Sequence, residues 1–479
     1  MIVQVEITPK CDNNCGFCYN FWKNEASTKM IFDRERITQL FDTLIKHEVP
    51  AICFTGGEPL LEKQVVYRFL NKSKKLRMYT SLNTNGRLIT PETAEKLKTL
   101  GLTSALVSIH GSNPRNHDTL VGATGAFTEM LDGFTNLVSQ GVNVTANYVV
   151  SKRNIKDIVK TADVLKNIGI KRITLTPFLP YRGVKDHLAW AIDKKQFSYY
   201  FKALGAIRDR GVKIDSTLPI PPCILVDIFP DSYLDYLKVL SPRVCMAGVT
   251  FMVISPEGKN RACIQAPELN DYGGNILHDF KKAWSKSRNW SDRNLIPNEC
   301  RKNCHALPIC GGGCRTSSLA INNSVNGKTM YMGQPLSKED AEPFIKRIEV
   351  EQYALQLPIL YRKNSVFFRE ETFGALLANT SNQSFILLTQ RGADAYHSLP
   401  TQFRYDRGNP YTDRFIRVLW AARVITQSSI GSKHALFKYE LDNDGIIHPS
   451  KLFHRLGKNL PLDQRVRCLR GDTGERIFF

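Results

Sequence analysis

Strand-like and helix-like patterns alternate six times along roughly the first 200 residues, and such regular alternation predicts a parallel sheet wrapped by helices. IVQVEIT (2–8) alternates apolar and polar residues like a strand. FDRERITQLFDTLIKH (32–47) has helical spacing, with Ile37, Leu40, Phe41, Leu44 and Ile45 on one face. Next come the strand AICFTG (51–56), a helix from about Glu62, the strand RMYTSLNTNG (77–86) and a helix over 91–99. SALVSIHG (104–111), a helix over 126–139, NVTANYVV (143–150), a helix over 155–168 and RITLTPF (172–178) complete the series. Eight units close a full barrel. Six predict an α/β fold with a partial (β/α)6 TIM-like barrel, whose ligand site lies at the carboxyl ends of the strands.

The unusual stretches fall at those ends. ITPKCDNNCGFCYN (7–20) follows the first strand and carries Cys11, Cys15 and Cys18; GGEP (56–59) follows the second, NTNG (83–86) the third, and SIHG (108–111) ends the fourth. Twelve cysteines are many for a chain read as cytoplasmic, where thiols stay reduced and clustered ones serve as metal ligands more often than as disulfides. Cys53, inside AICFTG, reads as a buried small residue. No apolar run approaches the roughly 18 residues of a membrane span. MIVQVEITPK is too short and too alternating for a signal peptide.

The net charge of +20 draws nucleic acid, membrane surfaces or acidic partners alike. The basic residues are scattered, KSKKLR (72–77) is their densest run, and no nucleic-acid-binding motif is found, so nucleic acid is disfavoured.

Three thiolates within eight residues suit zinc, or equally a cuboidal iron–sulfur cluster that leaves one iron open. The stretch resembles the radical S-adenosylmethionine (SAM) enzymes, with Phe17 as the aromatic residue of their cysteine motif. That resemblance implies a [4Fe–4S] cluster on Cys11, Cys15 and Cys18, with the open iron chelated by SAM. It also implies reductive cleavage to a 5′-deoxyadenosyl radical, fed by an external donor such as flavodoxin or ferredoxin. Gly56 and Gly57 would give clearance for the SAM amine and Glu58 would accept from it. Asn85 and Ser108 would line the nucleoside end, Asn147 and Lys152 would add polar contacts, and the carbonyls around Leu175 to Pro177 would meet the adenine. One departure stands out: HDTLVG (117–122) has Val121 where relatives carry arginine.

A second cysteine field spans 245–314: Cys245, then Gly258 and Cys263, then Cys300, Cys304, Cys310 and Cys314, the last pair as CGGGCR. It resembles the SPASM extension of peptide-modifying radical SAM enzymes, which implies one or two auxiliary [4Fe–4S] clusters; a zinc site on the same thiolates is the alternative. By that resemblance Cys245, Cys263 and Cys314 form the first cluster, with Cys223 in LPIPPCILV as its fourth ligand. Cys300, Cys304 and Cys310 form the second, whose fourth ligand is Cys468, a non-cysteine group or absent; NGKTMYMGQP (326–335) offers methionines where a cysteine is usual. Ile264 and Gln265 stand where sulfatase-maturing relatives carry an aspartate, which disfavours formylglycine formation.

NSVFFREE (364–371), TFGALLANT (372–380) and QSFILLTQ (383–390) read as strands, and RGADAYHSL (391–399) and DRFIRVLWAARVI (413–425) as helices. This small α+β, winged-helix-like unit resembles PqqD-like domains, which capture leader peptides as an added strand. The expected organisation is a barrel over 1–215, a SPASM segment over 216–345, a peptide-recognition domain over 346–450 and a basic tail over 451–479. The expected function is a peptide maturase that crosslinks a ribosomally made precursor through a C–C, ether or thioether bond. A small-molecule substrate (a porphyrin or sugar) and a zinc-bearing adaptor are the alternatives.

Overall fold

The computed structural model describes residues 2–20 and 32–350, apart from 48, 50, 77, 182–185, 187–188, 216–219 and 237–244. Beyond 350 it describes 359–362, 366–371, 374–379, 384–399, 402–404, 425–426 and 477–478. The chain divides into two compact units, Met1–Glu342 and Pro343–Phe479.

In the first unit the elements run β1 (Ile2–Thr8), α1 (Arg34–Lys46), β2 (Ala51–Gly56), α2 (Lys63–Lys75), β3 (Tyr79–Thr84), α3 (Pro91–Thr99), β4 (Ser104–Ser108), α4 (Pro114–Val121), α5 (Ala126–Ser139), β5 (Asn143–Val150), α6 (Ile158–Asn167), β6 (Arg172–Pro177), α7 (Lys194–Asp209) and β7 (Lys213–Asp215). The cysteine-rich segment adds α8 (Cys223–Ile228), β8 (Phe251–Ile254), β9 (Asn260–Arg261), α9 (Ile276–Arg288), α10 (Asn298–Asn303), α11 (Leu307–Cys310) and α12 (Arg315–Asn322). Strands β1 to β7 lie in chain order and pair in parallel, as βα crossovers require. β2 is buried at every position, the mark of a strand covered on both faces.

Local chemistry sets the helix starts. Asp33 caps α1 by accepting from the Arg36 N–H, Asn113 caps α4, and Asp193 with Gln196 forms a reciprocal capping box on α7. On α1 the residues Ile37, Leu40, Phe41 and Leu44 are buried, but Ile45 is 49% exposed, so the apolar stripe is narrower than the sequence suggests. Cys53 is buried in β2.

Two features go beyond six βα units. β7 extends one edge of the sheet, and on the other β8 pairs in parallel with β1 and antiparallel with β9. The cysteine-rich segment is therefore welded to the barrel sheet. Arg261 of β9 donates to Glu6 of β1 at 2.5 Å, with both side chains buried.

The second unit contains most of α13 (Lys338–Val350), then β10 (Ile359–Arg362), β11 (Val366–Glu371), β12 (Gly374–Asn379), β13 (Ser384–Thr389), α14 (Gln390–Ser398), β14 (Gln402–Arg404), β15 (Ile425–Thr426) and β16 (Ile477–Phe478). β11, β12 and β13 form an antiparallel meander that leads straight into α14. The expected helix over 413–425, nearly all of the basic tail and Cys468 lie outside the described residues.

Candidate functional site: the barrel rim and two thiol groups

The cysteine loop leaves β1 and is stitched at once to the GGEP turn after β2. The Gly57 N–H donates to the Thr8 carbonyl and the Glu58 N–H to the Lys10 carbonyl, both at 2.7 Å. A Cβ on Gly57 would stand 2.0 Å from the Lys10 oxygen, and one on Gly56, at φ +122°, 2.5 Å from that of Thr8. The glycines thus make room for the cysteine loop's own backbone.

Glu58 is almost fully buried. Its Oε1 accepts from the Leu60 N–H (3.0 Å) and the Thr84 hydroxyl (2.9 Å), and its Oε2 from the Asn85 N–H (2.8 Å). Two carboxylate oxygens offer about four acceptor positions, so Oε2 keeps one spare. Burial pushes this carboxyl up to about 7, against the pull of those donors and with a further push from Asp12.

Asn85 was expected to meet a nucleoside. Its side chain donates to Asp12 at 2.6 Å and accepts from the Arg87 N–H. The Arg87 guanidinium closes this brace on the Asp12 carbonyl (2.7 Å), the Asn13 side chain (2.9 Å) and Glu129 (2.6 Å). Sequence reasoning passed over Arg87, although it directly follows NTNG. Val121 supplies a main-chain tie here: its carbonyl accepts from the Asn14 N–H at 2.8 Å.

Phe17 is buried, edge-on to His110 (4.8 Å between centroids) and Trp190 (5.4 Å), and its carbonyl accepts from the Tyr181 hydroxyl. Arg153 stacks over Trp190 at 4.2 Å. His110 and His117 are kept neutral by burial, His117 pushed down to about 4. Trp190 and Tyr181 come from a loop more than 160 residues downstream, and no local motif marks them.

Ser108, Asn147 and Thr174 occupy one register row across β4, β5 and β6. Ser108 and Asn147 are half-buried, while their neighbours Val107 and Ala146 face the core. Lys152 is exposed just past β5, with its N–H on the Trp190 carbonyl. The Leu175 carbonyl, expected at an adenine, accepts from the Tyr200 hydroxyl at 3.2 Å.

Cys11, Cys15 and Cys18 are all half-buried. Burial pushes Cys11 up to about 11, opposed by the Asn13 N–H that points at its sulfur and reinforced by Glu58 and Asp12. A thiol so placed becomes a thiolate only beside strong positive charge, which a metal centre supplies.

The second field separates into two groups. Cys245 and Cys263 pack on the small core around Trp290, and Cys314 faces them; burial pushes Cys263 up to about 12, with Cys245 and Cys314 adding to it. Beside them the Arg315 guanidinium, 4% exposed, donates among the described residues to the Gly311 (3.1 Å) and Gly313 (3.2 Å) carbonyls, and its Nε has no partner among them. A buried cation with no carboxylate among the described residues calls for a nearby anion. A thiolate-held cluster is one, so the donor set fits that group.

Cys300, Cys304 and Cys310 line a separate cavity, and Cys223 lines it with them. This differs from the expectation that Cys223 joins Cys245, Cys263 and Cys314, because α8 delivers its first residue to the opposite group. Among the described residues no three His, Cys, Asp or Glu side chains converge tightly enough to hold a single metal ion.

Residues 5–165 match a family profile described as the Radical SAM superfamily. An Fe-coproporphyrin III synthase of Methanosarcina barkeri (strain Fusaro) is 33% identical over 357 residues, 68% of this chain and 85% of that protein. A PqqA peptide cyclase of Granulibacter bethesdensis is 23% identical over 329 residues, 67% of this chain and 84% of the other. Native anSMEcpe with bound AdoMet shares the fold with a TM-score of 0.54 at 18% identity, covering 72% of this chain and 96% of that one. Streptococcus suis SuiB bound to precursor peptide SuiA gives 0.52 at 18% identity, covering 68% and 74%.

Proposed function

The chain belongs to the radical SAM superfamily, and from that premise we propose that it is a maturase of a ribosomally made precursor peptide. Membership makes it an enzyme and implies a [4Fe–4S] cluster and SAM. In this reading Cys11, Cys15 and Cys18 hold the cluster. Bound together, cluster and SAM supply a 5′-deoxyadenosyl radical that takes a hydrogen atom from the substrate.

The chain's own residues prepare that event. Arg87, Asp12 and Asn85 fix the cysteine loop from one side, and Trp190 and Tyr181 fix Phe17 from the other. Glu58 offers its spare Oε2 position to the SAM ammonium, and the row of Ser108 and Asn147 offers polar contacts beyond it. Cys245, Cys263 and Cys314, and Cys300, Cys304 and Cys310, hold the auxiliary clusters of a SPASM-type segment. Clusters held there would supply an acceptor for the surplus electron of a C–C, ether or thioether crosslink. A flavodoxin or ferredoxin supplies the priming electron.

The observation that carries the peptide reading is the antiparallel meander of the second unit. Among the described residues its strand β11 pairs on one side only, with β12. An open edge of this kind accepts an extended leader by main-chain hydrogen bonds. The similarity to a PqqA peptide cyclase and the fold shared with peptide-bound SuiB support the same substrate class. The net charge of +20 suits an acidic leader.

The test is anaerobic incubation of reconstituted enzyme with SAM, reductant and candidate precursors. A peptide that loses two hydrogens in step with 5′-deoxyadenosine release is the expected result; deoxyadenosine without that loss opposes it. One observation favours a second reading: the relative at 33% identity is, by its name, a synthase of an iron porphyrin. Deoxyadenosine release stimulated by a tetrapyrrole precursor of such a porphyrin, and by no peptide, would establish that reading instead.

A further inference from the structure

We propose that Cys223 is the fourth thiolate of the second auxiliary site, giving a ligand set of Cys223, Cys300, Cys304 and Cys310. The inference rests on the auxiliary-cluster reading above and changes its ligand assignment. Four cysteines line one cavity, and they come from three places: the start of α8, α10 with the residue after it, and the end of α11.

The segment 329–333 explains why a cysteine from upstream is needed. Its Tyr331 hydroxyl donates to the Phe178 carbonyl at 2.7 Å, and its ring packs edge-on to Phe197, so the segment is pinned to the barrel just past β6. Pinned there, it presents no thiolate. Met332 places its thioether 3.6 Å from the Cys300 sulfur, and the Gly333 N–H donates to the Cys223 sulfur at 3.3 Å. A Cβ on Gly333 would already stand 3.1 Å from the Cys223 carbonyl, so backbone and cysteine are in close contact. The segment therefore holds and solvates a thiolate that α8 supplies. The first group, meanwhile, has a local compensating charge in Arg315, whereas the second has an amide N–H on Cys223.

The assignment is tested in the full-length chain carrying Cys11→Ala, Cys15→Ala and Cys18→Ala, so that only auxiliary sites load. Two backgrounds are made from it. One adds Cys300→Ala, Cys304→Ala and Cys310→Ala and keeps the first group. The other adds Cys245→Ala, Cys263→Ala and Cys314→Ala and keeps the second. Each is reconstituted with iron and sulfide, checked for folding by circular dichroism, and read by iron content and by electron paramagnetic resonance after reduction.

The background that keeps the second group should bind about four irons per chain. Cys223→Ser should shift its resonance or lower its iron, and should leave the other background unchanged. The reverse pattern would overturn the assignment, as would a Cys223→Ser variant that changes neither. Failure of both backgrounds to bind iron before Cys223 is touched would overturn the auxiliary-cluster reading itself, and the assignment with it. Gly333→Pro, which removes the N–H while leaving every cysteine in place, should shift the second-group resonance alone; no shift counts against the assignment.

Discussion

At the residue scale, Glu58 links the GGEP turn to the end of β3 and has a pH-dependent role. Its carboxyl is raised to about 7 by burial, above the ordinary carboxylate range, so the fold favours the protonated form. That contribution to stability is fully present below the unfolded carboxylate value and is lost as pH rises through about 7. An ammonium ligand prefers the ionised form. SAM affinity of the loaded enzyme should therefore strengthen as pH rises through about 7, and Glu58→Gln should flatten that dependence as well as weaken binding; titrations at three pH values check it. Gly57 makes a steric prediction. An alanine Cβ would meet the Lys10 carbonyl at 2.0 Å, and neither backbone can yield without moving the cysteine loop. Gly57→Ala should cost about 1–3 kcal/mol in stability and lower iron loading, measured by thermal unfolding and iron assay on the same preparation.

At the element scale, the weld of β9 and β8 onto β1 keeps the second cysteine field in register with the barrel. In its buried pair, Arg261 and Glu6, desolvation raises the Glu6 carboxyl above its ordinary value, against the attraction of Arg261, which lowers it. Breaking such a pair leaves one uncompensated buried charge. Arg261→Met should destabilise by about 3–5 kcal/mol, whereas the double change Glu6→Leu with Arg261→Met should recover most of that; thermal midpoints of the single and double variants decide it. The barrel elements were legible in the sequence because hydrophobic period and caps are local properties. Ile45 shows the margin of error: its spacing fits the buried face of α1, yet it is half exposed on the flank of that face.

At the scale of the whole molecule, the chain comprises two compact units, and the matched relatives account for about two thirds of it. No helix among the described residues is long and apolar enough to cross a membrane. If the second unit captures a leader, deleting everything after Val350 should leave iron content and peptide-independent SAM cleavage intact. Peptide modification should then fall by at least about tenfold, the loss expected when an anchoring contact of about 1.4 kcal/mol or more is removed. A porphyrin substrate would instead be turned over at the original rate. Measuring both products with the full and shortened chains separates the cases.

The sequence alone determined the alternation of strand and helix, the place of the cysteine loop and GGEP on one rim, and the existence of a second thiol field. All of these follow from periodicity and spacing along the chain. Tertiary structure alone decided which thiols meet. It brought Cys223 to Cys300, Cys304 and Cys310, set Arg315 beside Cys245 and Cys314, and turned Asn85 and Arg87 into braces for the cysteine loop. Spacing limits how far apart neighbours in sequence can lie, but it says nothing of which distant segments a folded sheet carries together.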